Sequence, residues 1–253
     1  MNLSNNTVLI TGGTSGIGLA FAKEFSKAGS TVIICGRRQD RLDAIAAEHP
    51  GIITRRCDLS IDADREALVA WAIATYPALN IVINNAGVQL LSDLTRPVDL
   101  ARVREETETN FIAPVHLSSL FSGHLASRPE SALVNISSGL AFVPIALMPV
   151  YCATKAAIHS FSLSLRYQLR GTNIKVFEIA PPAVDTELGH DRRSDKSESH
   201  GGMPVDAFIA EAMAALRDDV LEAPIGMAKH LHETREGSLD NLNGRFSGTL
   251  TNS

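Results

Sequence analysis

TVLITGGTSGIG, residues 7–18, is the stretch from which the fold can be read. A short β-branched and aliphatic run, Thr7–Ile10, passes through a glycine-rich turn into an amphipathic stretch of helical period over 16–28. Strand, turn and helix in immediate succession open a dinucleotide-binding βα unit. Gly12 permits the tight turn, Gly16 lets the backbone approach a pyrophosphate, and Gly18 allows close packing of helix on strand. Thr14, Ser15 and Ile17 complete the turn, and the amides at the start of the helix would face the anion.

Outward from this turn the alternation repeats. Strand-like runs recur as TVIIC (31–35), IITRRC (52–57), LNIVI (79–83), SALVNIS (131–137) and NIKVFEIA (173–180). Stretches of helical period lie between them at 39–48, 62–75, 99–126 and 151–170. Nearly all-apolar strands separated by helix-length segments predict an α/β fold, a single Rossmann-type doubly wound parallel sheet with helices on both faces. No repeat and no linker rich in Pro, Gly or Ser divides the 253 residues. Residues 185–203 are polar, charged and aperiodic, lie between a strand and a helix starting near Pro204, and read as a mobile loop over the substrate site.

Composition excludes several classes of function. The formal charge is −5, and Lys and Arg are scattered, so no nucleic-acid partner is expected. The longest apolar run, GLAFVPIALMPV (139–150), is too short to span a bilayer and is broken by Pro144 and Pro149. The amino-terminal residues lack a basic region followed by a secretory apolar stretch, so neither export nor membrane attachment is expected. Cys35, Cys57 and Cys152 have no metal-ligand spacing and are too few for a disulfide framework. The expected setting is the cytoplasm, with no metal site.

The second strand leads into CGRRQDRL (35–42). An acidic residue about 20 positions beyond the glycine turn would accept the ribose hydroxyls of NAD. Gly36, Arg37 and Arg38 stand there instead, and two guanidiniums suit a 2′-phosphate, so NADP(H) is expected in preference to NAD(H). Asp40, the nearby acid, is expected to cap the helix that follows.

Tyr151 and Lys155, in YCATK, are four residues apart and share one face of the helix expected over 151–170. TGGTSGIG, NNAG (84–87), Asn110, VNISS (134–138) and this Tyr–Lys pair follow in an order and spacing that resemble the short-chain dehydrogenase/reductase family over about residues 5–187. The resemblance implies a catalytic set. Ser138, thirteen residues before Tyr151, would hold the substrate oxygen, Tyr151 would be the general acid or base, and Asn110 would support a water passing protons to Lys155. Lys155 would stabilise the phenolate and bond the nicotinamide ribose. The resemblance also carries Asp58 and Leu59 to the adenine, and Asn85, Ala86 and Gly87 to the ribose. Pro181, Val184 and Thr186 follow as cofactor contacts, with Pro182 standing where the family has glycine. The wording PPAVDTEL (181–188) resembles a bacterial subgroup named for teichoic acid D-alanylation.

The implied function is an NADP(H)-dependent oxidoreductase acting on a carbonyl or secondary alcohol, the whole chain forming one dinucleotide-binding and catalytic domain. A dehydratase or epimerase on the same scaffold, or a non-catalytic nucleotide-binding regulator, are the alternatives. Leu140, Phe142, Ile145, Leu147 and Met148 offer an apolar substrate wall, with Gln89 as a polar contact. The carboxyl-terminal NLNGRFSGTLTNS (241–253) lacks the V-D-G-G wording of tetrameric members, so a homodimer through the helices at 99–126 and 151–170 is expected.

Overall fold

The computed structural model describes residues 1–188 and 201–234. Seven parallel strands form one sheet in the order β3-β2-β1-β4-β5-β6-β7. They are β1 Thr7–Thr11, β2 Thr31–Gly36, β3 Ile52–Arg56, β4 Ile81–Asn84, β5 Ser131–Ile136, β6 Ile174–Ala180 and β7 Glu222–Pro224. The helices are α1 Gly16–Lys27, α2 Gln39–Glu48, α3 Asp62–Thr75, α4 Leu100–Thr107, α5 Ala113–Ala126, α6 Pro149–Gln168, α7 Val205–Arg217 and α8 Met227–Glu233. None of the described helices is long and apolar enough to cross a membrane.

Both faces of the sheet are covered, which is why the central strands β1, β2 and β4 are mostly apolar and buried on both faces. Val8, Ile10, Val32, Ile34, Ile81 and Ile83 pack on one face with Phe21 and Phe25 of α1 and Phe208 and Leu216 of α7. Leu9, Ile33, Val82, Leu133 and Val176 pack on the other with Leu68 of α3, Leu117 and Phe121 of α5, and Leu165 of α6. Burying each such aliphatic side chain contributes about 1.5–3 kcal/mol. The strand order reverses between β1 and β4, and the carboxyl ends of those strands open the crevice in which such sheets bind ligands.

Three departures from the sequence reading have physical causes. The helix expected over 99–126 is interrupted by a π turn, Glu108–Ile112, between α4 and α5. Pro114 has no N–H for the carbonyl four residues back, that of Asn110, so the ordinary ladder fails there. The Ala113 N–H bonds the Glu108 carbonyl instead. β7 and α8 went unread because EAP has little strand character and the seven residues of α8 carry too few turns for a period. Asp40 does not cap α2: the cap position belongs to Arg38, whose side chain makes no capping bond, and Asp40 sits in the first turn.

Candidate active site

The phosphate turn is shaped by backbone that a side chain would block. Gly12 has φ of +65°, and a Cβ there would stand 2.8 Å from the Ala86 Cα. A Cβ on Gly18 would meet the Gly12 carbonyl oxygen at 2.4 Å. Thr11, which the sequence reading left without a role, ties this turn to the end of β4. Its hydroxyl donates to the Ile83 carbonyl at 3.3 Å and accepts from the amides of Asn85 at 3.0 Å and Ala86 at 3.1 Å. Asn85 Nδ2 closes the link by donating to the carbonyls of Thr11 at 2.9 Å and Gly12 at 3.2 Å. Asn85 thus braces the turn.

Thr14 lies over the end of β2, where a Cβ on Gly36 would be 3.1 Å from its methyl. The two arginines after Gly36 both have acidic neighbours. Arg37 Nη1 donates to Glu105 Oε1 at 2.7 Å, and Arg38 and Arg41 lie 3.6 and 3.5 Å from the Glu187 carboxylate. All three guanidiniums are about half exposed. Asp58 sits at the start of the loop after β3, and its Oδ1 accepts from the Ser60 amide at 3.0 Å and hydroxyl at 2.7 Å. Leu59 is held from behind by Arg65, a buried arginine of α3 missed in the sequence reading. Arg65 also bonds His116 Nδ1 at 3.0 Å and pairs with Glu108 at 3.0 Å, joining this loop to the π turn.

Tyr151 and Lys155 are buried on α6, with Lys155 Nζ 5.7 Å from the centre of the Tyr151 ring. Lys155 Nζ donates to the carbonyl of Ile136, the last residue of β5, at 2.9 Å. Burial draws its ammonium down from the ordinary lysine value of 10.5 to about 8, while the Glu106 and Glu178 carboxylates pull it back up. A lysine titrating there remains charged by about ten to one at pH 7.

Asn110 is the central residue of the π turn. Its Oδ1 accepts from the Val88 amide at 2.8 Å, and its Nδ2 donates to the Val88 carbonyl at 2.8 Å and to Thr154 Oγ1 at 3.2 Å. The side chain therefore clips the loop after β4 to α6. Ser138 follows β5 and caps a single 3₁₀ turn, Gly139–Ala141, its Oγ accepting from the Leu140 amide at 3.1 Å. That bond uses a lone pair and leaves the hydroxyl proton to be given elsewhere. Behind these residues Asn84 Nδ2 bonds Asn135 Oδ1 at 2.9 Å, and Asn135 Nδ2 bonds Ser162 Oγ at 2.9 Å. This buried chain fixes β4, β5 and α6 relative to one another.

After β6 the Pro181 carbonyl accepts from the Gly139 amide at 2.8 Å, setting this segment beside Ser138. Val184 bridges Met203, and Asp185 N donates to the Met203 carbonyl at 2.9 Å, so the expected loop over 185–203 is pinned at its base. Its residues 189–200 lie outside the described residues. Thr186 reaches the phosphate turn: a Cβ on Gly16, where φ is +52°, would be 3.1 Å from the Thr186 Cβ. Pro182 packs its ring towards Gly226, 3.5 Å from where a Cβ there would stand.

A cleft of about 420 Å³ lies beside the first turn of α6, lined by Ser92, Asp93, Leu94, Thr95, Ala146 and Pro149. Two members of the expected apolar wall are placed elsewhere. Phe142 is buried in a cluster with Val143, Ala180 and Leu231, and Ile145 is buried with its amide on Cys152 Sγ at 3.4 Å. Leu140, Leu147 and Met148 remain half-buried.

The crevice at the carboxyl ends of β1 and β4, apart from that pocket, fits a nicotinamide dinucleotide at Gly87. A Cβ on Gly87 would stand 3.5 Å from Asn110 Oδ1 and 3.7 Å from Lys155 Nζ, so glycine keeps open the space in front of both. A parallel sheet with a glycine turn at its reversal point, and polar groups gathered at the carboxyl ends of β4 and β5, defines the dinucleotide-binding class of doubly wound proteins. Within it, the chain belongs to the short chain dehydrogenase family of oxidoreductases, whose family model matches residues 6–197. It is 44% identical over 243 residues, 96% of each chain, to the uncharacterized oxidoreductase DltE of Bacillus subtilis. A short-chain dehydrogenase from Sphingobium yanoikuyae, solved in complex with NADPH, superposes with a TM-score of 0.79 at 26% identity, covering 98% of this chain and 96% of that one. A relative from Burkholderia phymatum, solved in complex with NAD, superposes with a TM-score of 0.81 over 94% of this chain and 97% of that one; at 19% identity it shows the fold alone.

Proposed function

We propose that this chain is an NADP(H)-dependent reductase or dehydrogenase of small carbonyl or secondary alcohol substrates, with Tyr151 as the general acid or base. The observation that carries the reading is the buried pair on α6, with Lys155 Nζ 5.7 Å from the Tyr151 ring and still largely charged at neutral pH. A phenol of ordinary pKa near 10 is a poor base at pH 7, and bringing it into range needs roughly 4 kcal/mol. A cation about 4 Å from the developing phenolate, at an effective dielectric near 20, supplies about that much.

Bound NADP(H) supplies the hydride chemistry. The amides at the start of α1, with Gly12, Gly16 and Gly18, would hold its pyrophosphate, and Arg37 and Arg38 its 2′-phosphate. Asp58 and Leu59 border the adenine in this reading, and Asn85, Ala86 and Gly87 the ribose. Val184 and Thr186 would meet the carboxamide. Ser138 donates its hydroxyl proton to the substrate oxygen and holds that oxygen towards Tyr151. In the direction of reduction Tyr151 gives its proton to the oxygen, and the resulting phenolate is stabilised by Lys155. The Asn110 carbonyl, left without a donor four residues on by Pro114, is the acceptor that would hold the water resupplying Lys155.

In this reading Arg37 and Arg38 carry the preference for the 2′-phosphate, and the 26%-identical dehydrogenase from Sphingobium yanoikuyae was solved with NADPH. The working assembly is a homodimer through α5 and α6, and the cytoplasm is its proposed compartment. Oxidation of NADPH followed at 340 nm against a panel of ketones and aldehydes tests the activity. Turnover of at least one carbonyl compound is expected, and a panel that leaves NADPH unconsumed by enzyme shown to bind it would overturn the assignment.

A further inference from the structure

A second cluster of chemically able side chains lies outside the cleft, one helical turn beyond Lys155. We propose that His159, Glu178 and Glu222, with His232 at the rim, form a binding site for a divalent transition-metal ion of the zinc class. His159 is on α6, Glu178 on β6, Glu222 on β7 and His232 on α8, so four separate elements converge. Their sequence positions share no ligand spacing, and only the fold brings them together.

The side chains stand close enough to share one ion. One ligand atom from each of His159, Glu178 and Glu222 lies within 4.8 Å of the other two. Zinc bonds of about 2.0–2.2 Å in a tetrahedron place ligand atoms about 3.4 Å apart, so small side-chain rotations close the set. His159 Nδ1 is 2.8 Å from Glu178 Oε2, and His232 Nε2 is 3.1 Å from Glu222 Oε1, so each carboxylate already has an imidazole aimed at it. Phe142 packs edge-on against both imidazoles, with ring centres 5.1 Å from His159 and 4.7 Å from His232.

Burial and charge ask for a cation here. Glu178 is wholly buried, and its Oε1 finds no hydrogen-bond partner among the described residues. A buried oxygen of a carboxylate left without a partner is costly. Glu178 and Glu222 are direct neighbours across the β6–β7 pairing, where like charges repel. A divalent ion neutralises both carboxylates, satisfies the orphaned oxygen and accepts the imidazole nitrogens as ligands. The mixed nitrogen and oxygen donors favour zinc over calcium or magnesium, which prefer all-oxygen sets. Bound there, the ion would tie α8 to α6 and the edge of the sheet.

The test uses the full chain without an affinity tag, stripped with chelator, and zinc chloride alone as the probe. Bound zinc is counted by mass spectrometry after desalting, and affinity is read by competition with a chromogenic indicator. One zinc per chain is expected. His159→Gln and Glu222→Gln should each weaken binding at least about tenfold, the lower end of what removing even an outer partner of a metal site costs. His230→Gln, at an exposed position on α8, should leave it unchanged. Circular dichroism checks folding, and Glu222, only half-buried, carries the test should His159→Gln fail to fold. A wild-type chain that retains no zinc, or folded variants that bind it as tightly as the wild type, would overturn the proposal.

Discussion

Replacing Lys155 by methionine should abolish turnover and also change how stability depends on pH. Lys155 is 4% exposed, and its ammonium titrates near 8 in the fold against 10.5 as a free side chain. The unfolded chain holds this proton more tightly than the folded one. Stability therefore rises with pH between about 8 and 10.5, and the cost of the buried charge is fully present below pH 8. At about 1.4 kcal/mol for each tenfold change in proton affinity, that cost is about 3 kcal/mol at pH 7. Methionine removes the charge at similar length but strands the Ile136 carbonyl that Lys155 bonds at 2.9 Å. The stranded acceptor costs about 1–3 kcal/mol. The two effects nearly cancel at pH 7, so the informative quantity is the difference between the proteins as pH rises. Urea unfolding at pH 8 and pH 9.5 should show the wild type gaining about 1.5 kcal/mol on Lys155→Met, with other titrating groups subtracted by the comparison. A difference that stays flat between the two pH values would refute the reasoning, because the lysine would then not be charged and desolvated in the fold.

Further expectations follow from the site and the assembly. NADPH should bind at least about tenfold more tightly than NADH, within reach of one charge-assisted phosphate contact. Arg37→Asp should cancel or reverse that ratio, and Glu187→Gln, which frees Arg38 and Arg41 from a carboxylate, should raise NADPH affinity in the same titration. Gly12→Ala should destabilise the fold by about 1–3 kcal/mol, from a positive φ and a clash with Ala86. Gly87→Ala, whose Cβ would make only ordinary contacts, should melt like the wild type yet bind cofactor several-fold more weakly, as calorimetry and titration would show. Light scattering at micromolar concentration should give twice the 27.1 kDa chain mass, and a stable mass near four chains would contradict pairing through α5 and α6 alone.

Much of this architecture could be read from the residues, for reasons that also mark where reading stopped. The strands β1 to β6 are apolar on both faces, and Gly12, Gly16 and Gly18 sit where only glycine fits or packs well. Tyr151 and Lys155 were legible through the spacing of a helix that did form. Contacts between segments far apart in the chain carry no local signal, so Arg65 reaching His116 and the Asn84–Asn135–Ser162 chain were invisible. The acid partners of Arg37 and Arg38 come from 68 residues away in α4 and from the segment after β6, distances that no motif spans. Phe142 was assigned to the substrate wall because it is apolar, and only the position of α8 shows it covering two imidazoles instead. Pro114 was the one clue available to the π turn, since a proline inside a helical stretch must break the ladder four residues back.

The central claim is that Tyr151 moves the proton while the rest of the site holds cofactor and substrate. Tyr151→Phe removes one hydroxyl and little volume, so it isolates that step. With a carbonyl substrate found in the panel, NADPH oxidation and NADPH affinity measured on the same preparation decide the matter. The account predicts an unchanged dissociation constant and a rate lowered at least about 100-fold, the low end of what a positioned acid or base contributes. A variant that binds NADPH normally and keeps more than about a tenth of the wild-type rate would contradict it.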